Sequence, residues 1–85
     1  MARPLKTYPN PKAKGPLDVK KLGEWVRARR TQSGLRIDDA AELCGVSKDV
    51  LLRVETAKSG VRLESVFKVL NGLGLKLCIE LGVEK

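Results

Sequence analysis

The side chains in this sequence equipped for chemistry are mostly cations. Lys and Arg number 17 against 10 Asp and Glu, leaving a formal charge of +7 at neutral pH. That balance points to a polyanionic partner, either nucleic acid or an anionic membrane surface. Other chemistries are poorly supplied. There is no His, so no imidazole can act as general base or metal ligand. Cys44 and Cys78 make neither a zinc spacing nor a C-x-x-C pair. No glycine-rich phosphate loop is present, no thiolate is partnered by a base, and a chain of 85 residues leaves little volume for a pocket. Neither an enzyme nor a bound metal or cofactor is expected.

The unbroken apolar runs are only a few residues long, too short to span a membrane. The N-terminus carries charge and proline without an apolar h-region, so no secretory signal is expected and the cytoplasm is the expected compartment. In that reducing setting both cysteines read as small buried hydrophobes rather than as a disulfide.

What these cations can reach depends on the elements that carry them. All four prolines (Pro4, Pro9, Pro11, Pro16) fall in residues 1–16. Each removes a backbone donor and biases its predecessor away from helix. Residues 1–16 are thus expected to form an extended or disordered basic arm carrying Arg3, Lys6, Lys12 and Lys14, either a solubilising tail or a contact with DNA or a partner. From Asp18, a capping residue, Val19, Leu22, Trp25 and Val26 make an apolar stripe at helical spacing. Gly34 ends that helix after Ser33. A second helix starts near Arg36, with Asp38 and Asp39 in its first turn, and stops at Gly45. Ser47 caps a third helix running to about Ala57. After a Lys58-Ser59-Gly60 turn, a fourth helix covers about residues 62–71, with Leu63, Val66, Phe67 and Leu70 on one face and Gly72 or Gly74 at its end.

The final segment changes period. Leu75, Leu77, Ile79 and Leu81 alternate with Lys76, Cys78 and Glu80, the two-residue repeat of a half-buried strand. A lone strand cannot satisfy its own backbone groups. Pairing with the same strand of a second copy is the simplest solution and implies a homodimer. The alternative is a tail folded back on its own helices.

Two short helices joined at Gly45 make the most informative pattern. Gly45 tolerates positive φ at the turn, and Ala41 lets the second helix pack close. Ala40, Cys44, Val46, Leu51 and Val54 face inward, leaving Lys48, Asp49 and Arg53 outside. With Gly34-Leu35, Ala41, Gly45-Val46-Ser47, Leu51 and Val54-Glu55 in register, residues 22–75 resemble the Cro/repressor (XRE) type of helix-turn-helix. The expected fold class is therefore all-α: a small four-helix bundle with a helix-turn-helix over residues 17–74, plus a C-terminal β-strand and tail over residues 75–85, paired between the subunits of a dimer.

The resemblance also implies roles. Arg30 and Glu55 occupy the positions of a family ion pair between the first and recognition helices. Lys48, Asp49, Val50 and Arg53 fall at base-reading positions. There Lys48 or Arg53 can donate to guanine, Asp49 can accept from cytosine, and Val50 can pack on a thymine methyl. Ser47, Arg36 and Lys58 are the expected phosphate contacts. The family often opens its second helix with Thr-Gln, where this chain has Arg36-Ile37. The Thr cap and the Gln touch on DNA are then missing, and Arg36 can stand in for the latter by meeting a phosphate at the helix N-terminus. Leu43 and Leu52 point outward. Single exposed leucines are common, but Leu52 can meet a thymine methyl and Leu43 a partner protein.

Within the family the run SVFKVLNGLGLKLCIEL resembles the ending of HipB-type antitoxins, in which a short strand pairs between subunits. That likeness implies a repressor of its own operon that binds a palindromic double-stranded DNA operator and a HipA-like Ser/Thr kinase toxin. The alternative is a stand-alone or phage-type repressor with no toxin. Membrane-surface binding is the weaker use for the basic first helix with Arg27, Arg29 and Arg30, because the core of so small a domain needs its apolar face.

The charge is unevenly spread. Residues 1–36 carry ten basic and two acidic side chains, whereas residues 37–85 carry seven and eight. The excess therefore lies in the arm and first helix, where it would act on phosphates without sequence choice.

Overall fold

The computed structural model describes residues 5–11, 15–79 and 81. Arg3, Pro4, Lys12, Lys14 and Glu80, named above, lie outside the described residues. Four helices follow in order: α1 (Val19–Gln32), α2 (Ile37–Cys44), α3 (Lys48–Glu55) and α4 (Leu63–Gly72).

Local chemistry sets most of their ends. Asp18 stands in extended backbone and accepts from the Lys21 backbone N–H at 2.8 Å, which satisfies an otherwise unpaired donor in the first turn of α1. The Ser47 hydroxyl accepts from the Val50 N–H at 3.1 Å and starts α3 in the same way. Arg36 precedes α2 with no side-chain cap bond, and Asp38 and Asp39 in its first turn answer the helix dipole. Gly34, Gly45 and Gly74 all take positive φ just past a helix. Gly74 therefore supplies the left-handed residue beyond α4, whose last turn contains Gly72. The end of α3 breaks this pattern: Ala57 carries φ +59° there, a conformation that L-residues with a Cβ adopt at a cost.

The core forms where α1 meets α3 and where α2 meets both α3 and α4. Val26, Ala40, Leu51, Val69 and Leu70 are almost wholly buried, with Ala41, Cys44, Val54 and Leu73 around them. Two glycines permit the tightest approaches. A Cβ on Gly23 would stand 2.5 Å from the Val54 carbonyl oxygen and 2.6 Å from that of Glu55, so α1 crosses directly over the end of α3. A Cβ on Gly72 would stand 2.5 Å from Cys44 Sγ, which brings α4 equally close to α2. Arg29 Nε donates to the Leu73 carbonyl at 2.9 Å and ties α1 to the end of α4.

Two expectations need correction. The buried face of α4 is Val69 and Leu70, with Val66 partly covered, whereas Leu63 and Phe67 are 66% and 44% exposed. The helical stripe on α4 is wider than the surface α2 and α3 can cover. Cys78 is exposed, not buried, because its segment leaves the bundle. No strand forms among the described residues, since one chain presents this segment with no edge to pair against. Leu75 still packs on the core, but Leu77 is exposed and Ile79 and Leu81 are 96% and 89% exposed.

Candidate nucleic-acid interface

The α3 helix is positioned from behind. Arg30 on α1 grips the Glu55 carboxylate at the last turn of α3 in a bidentate pair, Nε to Oε2 at 2.5 Å and Nη2 to Oε1 at 3.0 Å. Their side chains are only 8% and 4% exposed. Nη1 of Arg30 also donates to the Leu35 carbonyl at 2.9 Å, so one guanidinium joins α1, the α1–α2 turn and α3. A buried charge is tolerable only when its partners are satisfied, and these are. Together with the Gly23 crossing, the pair sets the angle at which α3 leaves the bundle.

On the outer side of α3 the structure places Lys48 and Asp49 exposed at the N-terminal end, Val50 half-buried beside them, and Arg53 half-buried one turn on. Lys48 Nζ lies 3.4 Å from Asp38 Oδ1 on α2, with both side chains largely exposed, a pair of the kind that contributes little. Arg53 is held more firmly. Its Nε donates to Asp49 Oδ2 at 2.9 Å and its Nη1 to the Ser59 carbonyl at 3.1 Å. Ser47 flanks this face at the start of α3 and Lys58 follows its end, both exposed. Asp49, Leu52, Arg53, Thr56 and Lys58 line a shallow concavity there. Arg36 stands exposed at the start of α2. Leu43 is exposed on α2, and Leu52 on α3 forms part of the concavity rather than standing alone.

The basic half adds a feature that composition conceals. Residues 5–11 have no regular secondary structure, yet they are attached to the outside of α1. The Tyr8 backbone N–H donates to Thr31 Oγ1 at 3.0 Å, and Gln32 Nε2 donates to the Tyr8 carbonyl at 2.8 Å and to Asn10 Oδ1 at 3.0 Å. The Tyr8 ring lies beneath two cations, with the Arg27 guanidinium 4.1 Å and the Lys6 ammonium 5.2 Å from its centroid. Cation–π attraction of this kind contributes about 0.5–1 kcal/mol at exposed sites. Proline content alone gives no sign of Tyr8 as an anchor.

The thiols separate cleanly. Cys44 donates to the Val69 carbonyl at 3.5 Å, and burial pushes its thiol pKa up and disfavours the thiolate. Among the described residues no group of three His, Cys, Asp or Glu is arranged to hold a metal ion. No helix there is long and apolar enough to cross a membrane.

Against known proteins, a family model described as "Helix-turn-helix domain" matches residues 21–78. Among solved structures, a HipB variant in an O2 20mer complex aligns with TM-score 0.71 at 18% identity, over 85% of this chain and 100% of that one. The HipA-HipB-O2-O3 complex aligns with TM-score 0.68 at 20% identity, over 78% and 93%. A structure titled "MDT Protein" aligns with TM-score 0.71 at 18% identity, over 82% and 99%. No curated protein matches. At these identities the structures share the fold.

Proposed function

The chain belongs to the helix-turn-helix domain family, and on that premise we propose that it is a cytoplasmic, sequence-specific DNA-binding repressor. In this reading it is the antitoxin of a toxin–antitoxin pair, represses its own operon and binds a HipA-like Ser/Thr kinase toxin. One observation carries the DNA-binding part. A Ser47-capped α3, locked from behind by Arg30–Glu55, turns Lys48, Asp49 and Arg53 to solvent at the positions where the family reads bases. A major groove about 12 Å wide admits such a helix with its N-terminal end toward the base edges. Lys48 and Arg53 are the donors and Val50 the apolar contact, while Ser47, Arg36 and Lys58 hold phosphates and fix register.

The dimer completes the reader. Leu75, Leu77, Ile79 and Leu81 pair as a strand with the same residues of a second copy, which covers the apolar side chains one chain leaves exposed. Leu77 and Leu75 also line an apolar groove with Leu17, Leu22, Trp25 and Leu70, continuous with that strand. Two-fold symmetry then sets two α3 helices about 34 Å apart and calls for a palindromic site. The kinase partner is supported by the likeness to HipB in a complex that includes HipA.

Selection of binding sites from random duplexes tests the first claim, with a palindrome expected. Equal affinity for every sequence at physiological salt would overturn it. In sedimentation the full chain should run near twice 9.3 kDa, and removal of residues 75–85 should yield monomers. For the partner, a neighbouring kinase-fold gene expressed untagged should copurify with this chain. Without that copurification the stand-alone repressor remains.

A further inference from the structure

Asp49 stands where the family reads bases, but its geometry suits a different task. We propose that Asp49 reads no base itself and instead aims Arg53 at a guanine. This rests on the DNA-binding reading above and assigns the labour within it. A guanidinium has five N–H donors in a rigid plane. In this chain Asp49 Oδ2 takes the Nε–H at 2.9 Å and the Ser59 carbonyl takes one Nη1–H at 3.1 Å. Three donors remain, one on Nη1 and two on Nη2, enough to engage guanine O6 and N7 together. Two acceptors on different elements hold the plane, one on α3 and one on the turn after it. Gly60 keeps that turn close: its φ is +88°, and a Cβ there would stand 3.3 Å from Nη1.

The contrast with Lys48 supports this assignment. Among the described residues Lys48 has one long contact, to Asp38 at 3.4 Å, through a flexible stem and a point charge that imposes no plane. Arg53 is preorganised, and it lines the concavity formed with Leu52, Thr56 and Lys58 on the outer face of α3. Asp49 also carries negative charge toward a polyanion, which opposes binding to every sequence alike. A residue that weakens general affinity yet fixes one donor plane raises discrimination at the expense of affinity.

Three full-length variants, D49A, R53A and the double substitution, test this by site selection and by titration of one non-cognate duplex. Arg53→Ala should abolish a guanine preference of about 5- to 150-fold at one position of each half-site. Asp49→Ala should lower the preference at that same position by about threefold or more, while affinity for the non-cognate duplex rises. The double variant should do no worse there than Arg53→Ala alone. Relaxation at a different position by Asp49→Ala, with the Arg53 position intact, means that Asp49 reads a base directly and overturns the proposal while leaving DNA reading in place. A wild-type chain with no base preference overturns both. Asp49 is exposed, and an unchanged thermal midpoint for its variant confirms that the loss is one of aim rather than of folding.

Discussion

Residues 1–36 and residues 37–85 offer a polyanion opposite things. The first set carries a net +8 and the second a net −1. In the basic part, cations lie along an extended segment and one helix, with Lys6 and Arg27 stacked on Tyr8. In the other, each basic side chain on the outer face of α3 already has an acidic neighbour, Lys48 with Asp38 and Arg53 with Asp49. Net charge therefore supplies attraction in one region, while fixed donor geometry supplies choice in the other. The sign of the total says little about where sequence is read.

The two regions are joined by Arg30–Glu55, and cutting that joint has the largest expected effect. Glu55→Ala leaves a buried guanidinium without its carboxylate and should destabilise the fold by about 3–5 kcal/mol in denaturant titration. A loss below about 1 kcal/mol would show that the pair adds little to the other contacts between the regions, such as Arg29 with the Leu73 carbonyl and Gly23 against α3. Next is Gly23→Ala, which drives a methyl group into the carbonyls closing α3. Overpacking of this kind typically costs about 1–3 kcal/mol, and a variant as stable as wild type would refute the close crossing.

Deleting residues 1–16 separates attraction from choice. The slope of log affinity against log salt should fall by about 0.9 for each phosphate that the arm had neutralised, with the selected sequence unchanged. A shifted preference would mean that the arm itself reads bases in a minor groove. The smallest effect is a gain. Ala57→Gly relieves a positive φ at the end of α3 and should stabilise the chain by up to about 1 kcal/mol, seen as a raised melting temperature.

Features set by near neighbours along the chain are legible in the residues themselves. Asp18 and Ser47 announce helix starts and Gly34 and Gly45 announce helix ends, because caps and turns are local chemistry. The Arg30–Glu55 pair is legible only through resemblance, since 25 residues separate its partners. The α4 stripe misleads because periodicity finds a face without measuring how much of it neighbours can cover, and Leu63 and Phe67 fall outside the cover. Gly23 and Gly72 matter through helices distant in sequence, so neither stands out. The Asp49–Arg53 pair, four residues apart on one helix, is the feature that spacing rules alone could have revealed. Cys78 defies its expected burial because its segment has no cover within one chain.

The docking of Tyr8 bears on the timing of an entropic cost. Fixing a residue's backbone costs about 1–2 kcal/mol, and a loose arm would meet that cost on encountering its partner. Here the hydrogen bonds with Thr31 and Gln32 restrict the segment around Tyr8 as the domain folds. Lys6 thus arrives already placed, and calorimetry should show a more unfavourable association entropy for Gln32→Ala, which removes the donor to the Tyr8 carbonyl and to Asn10, than for the parent chain.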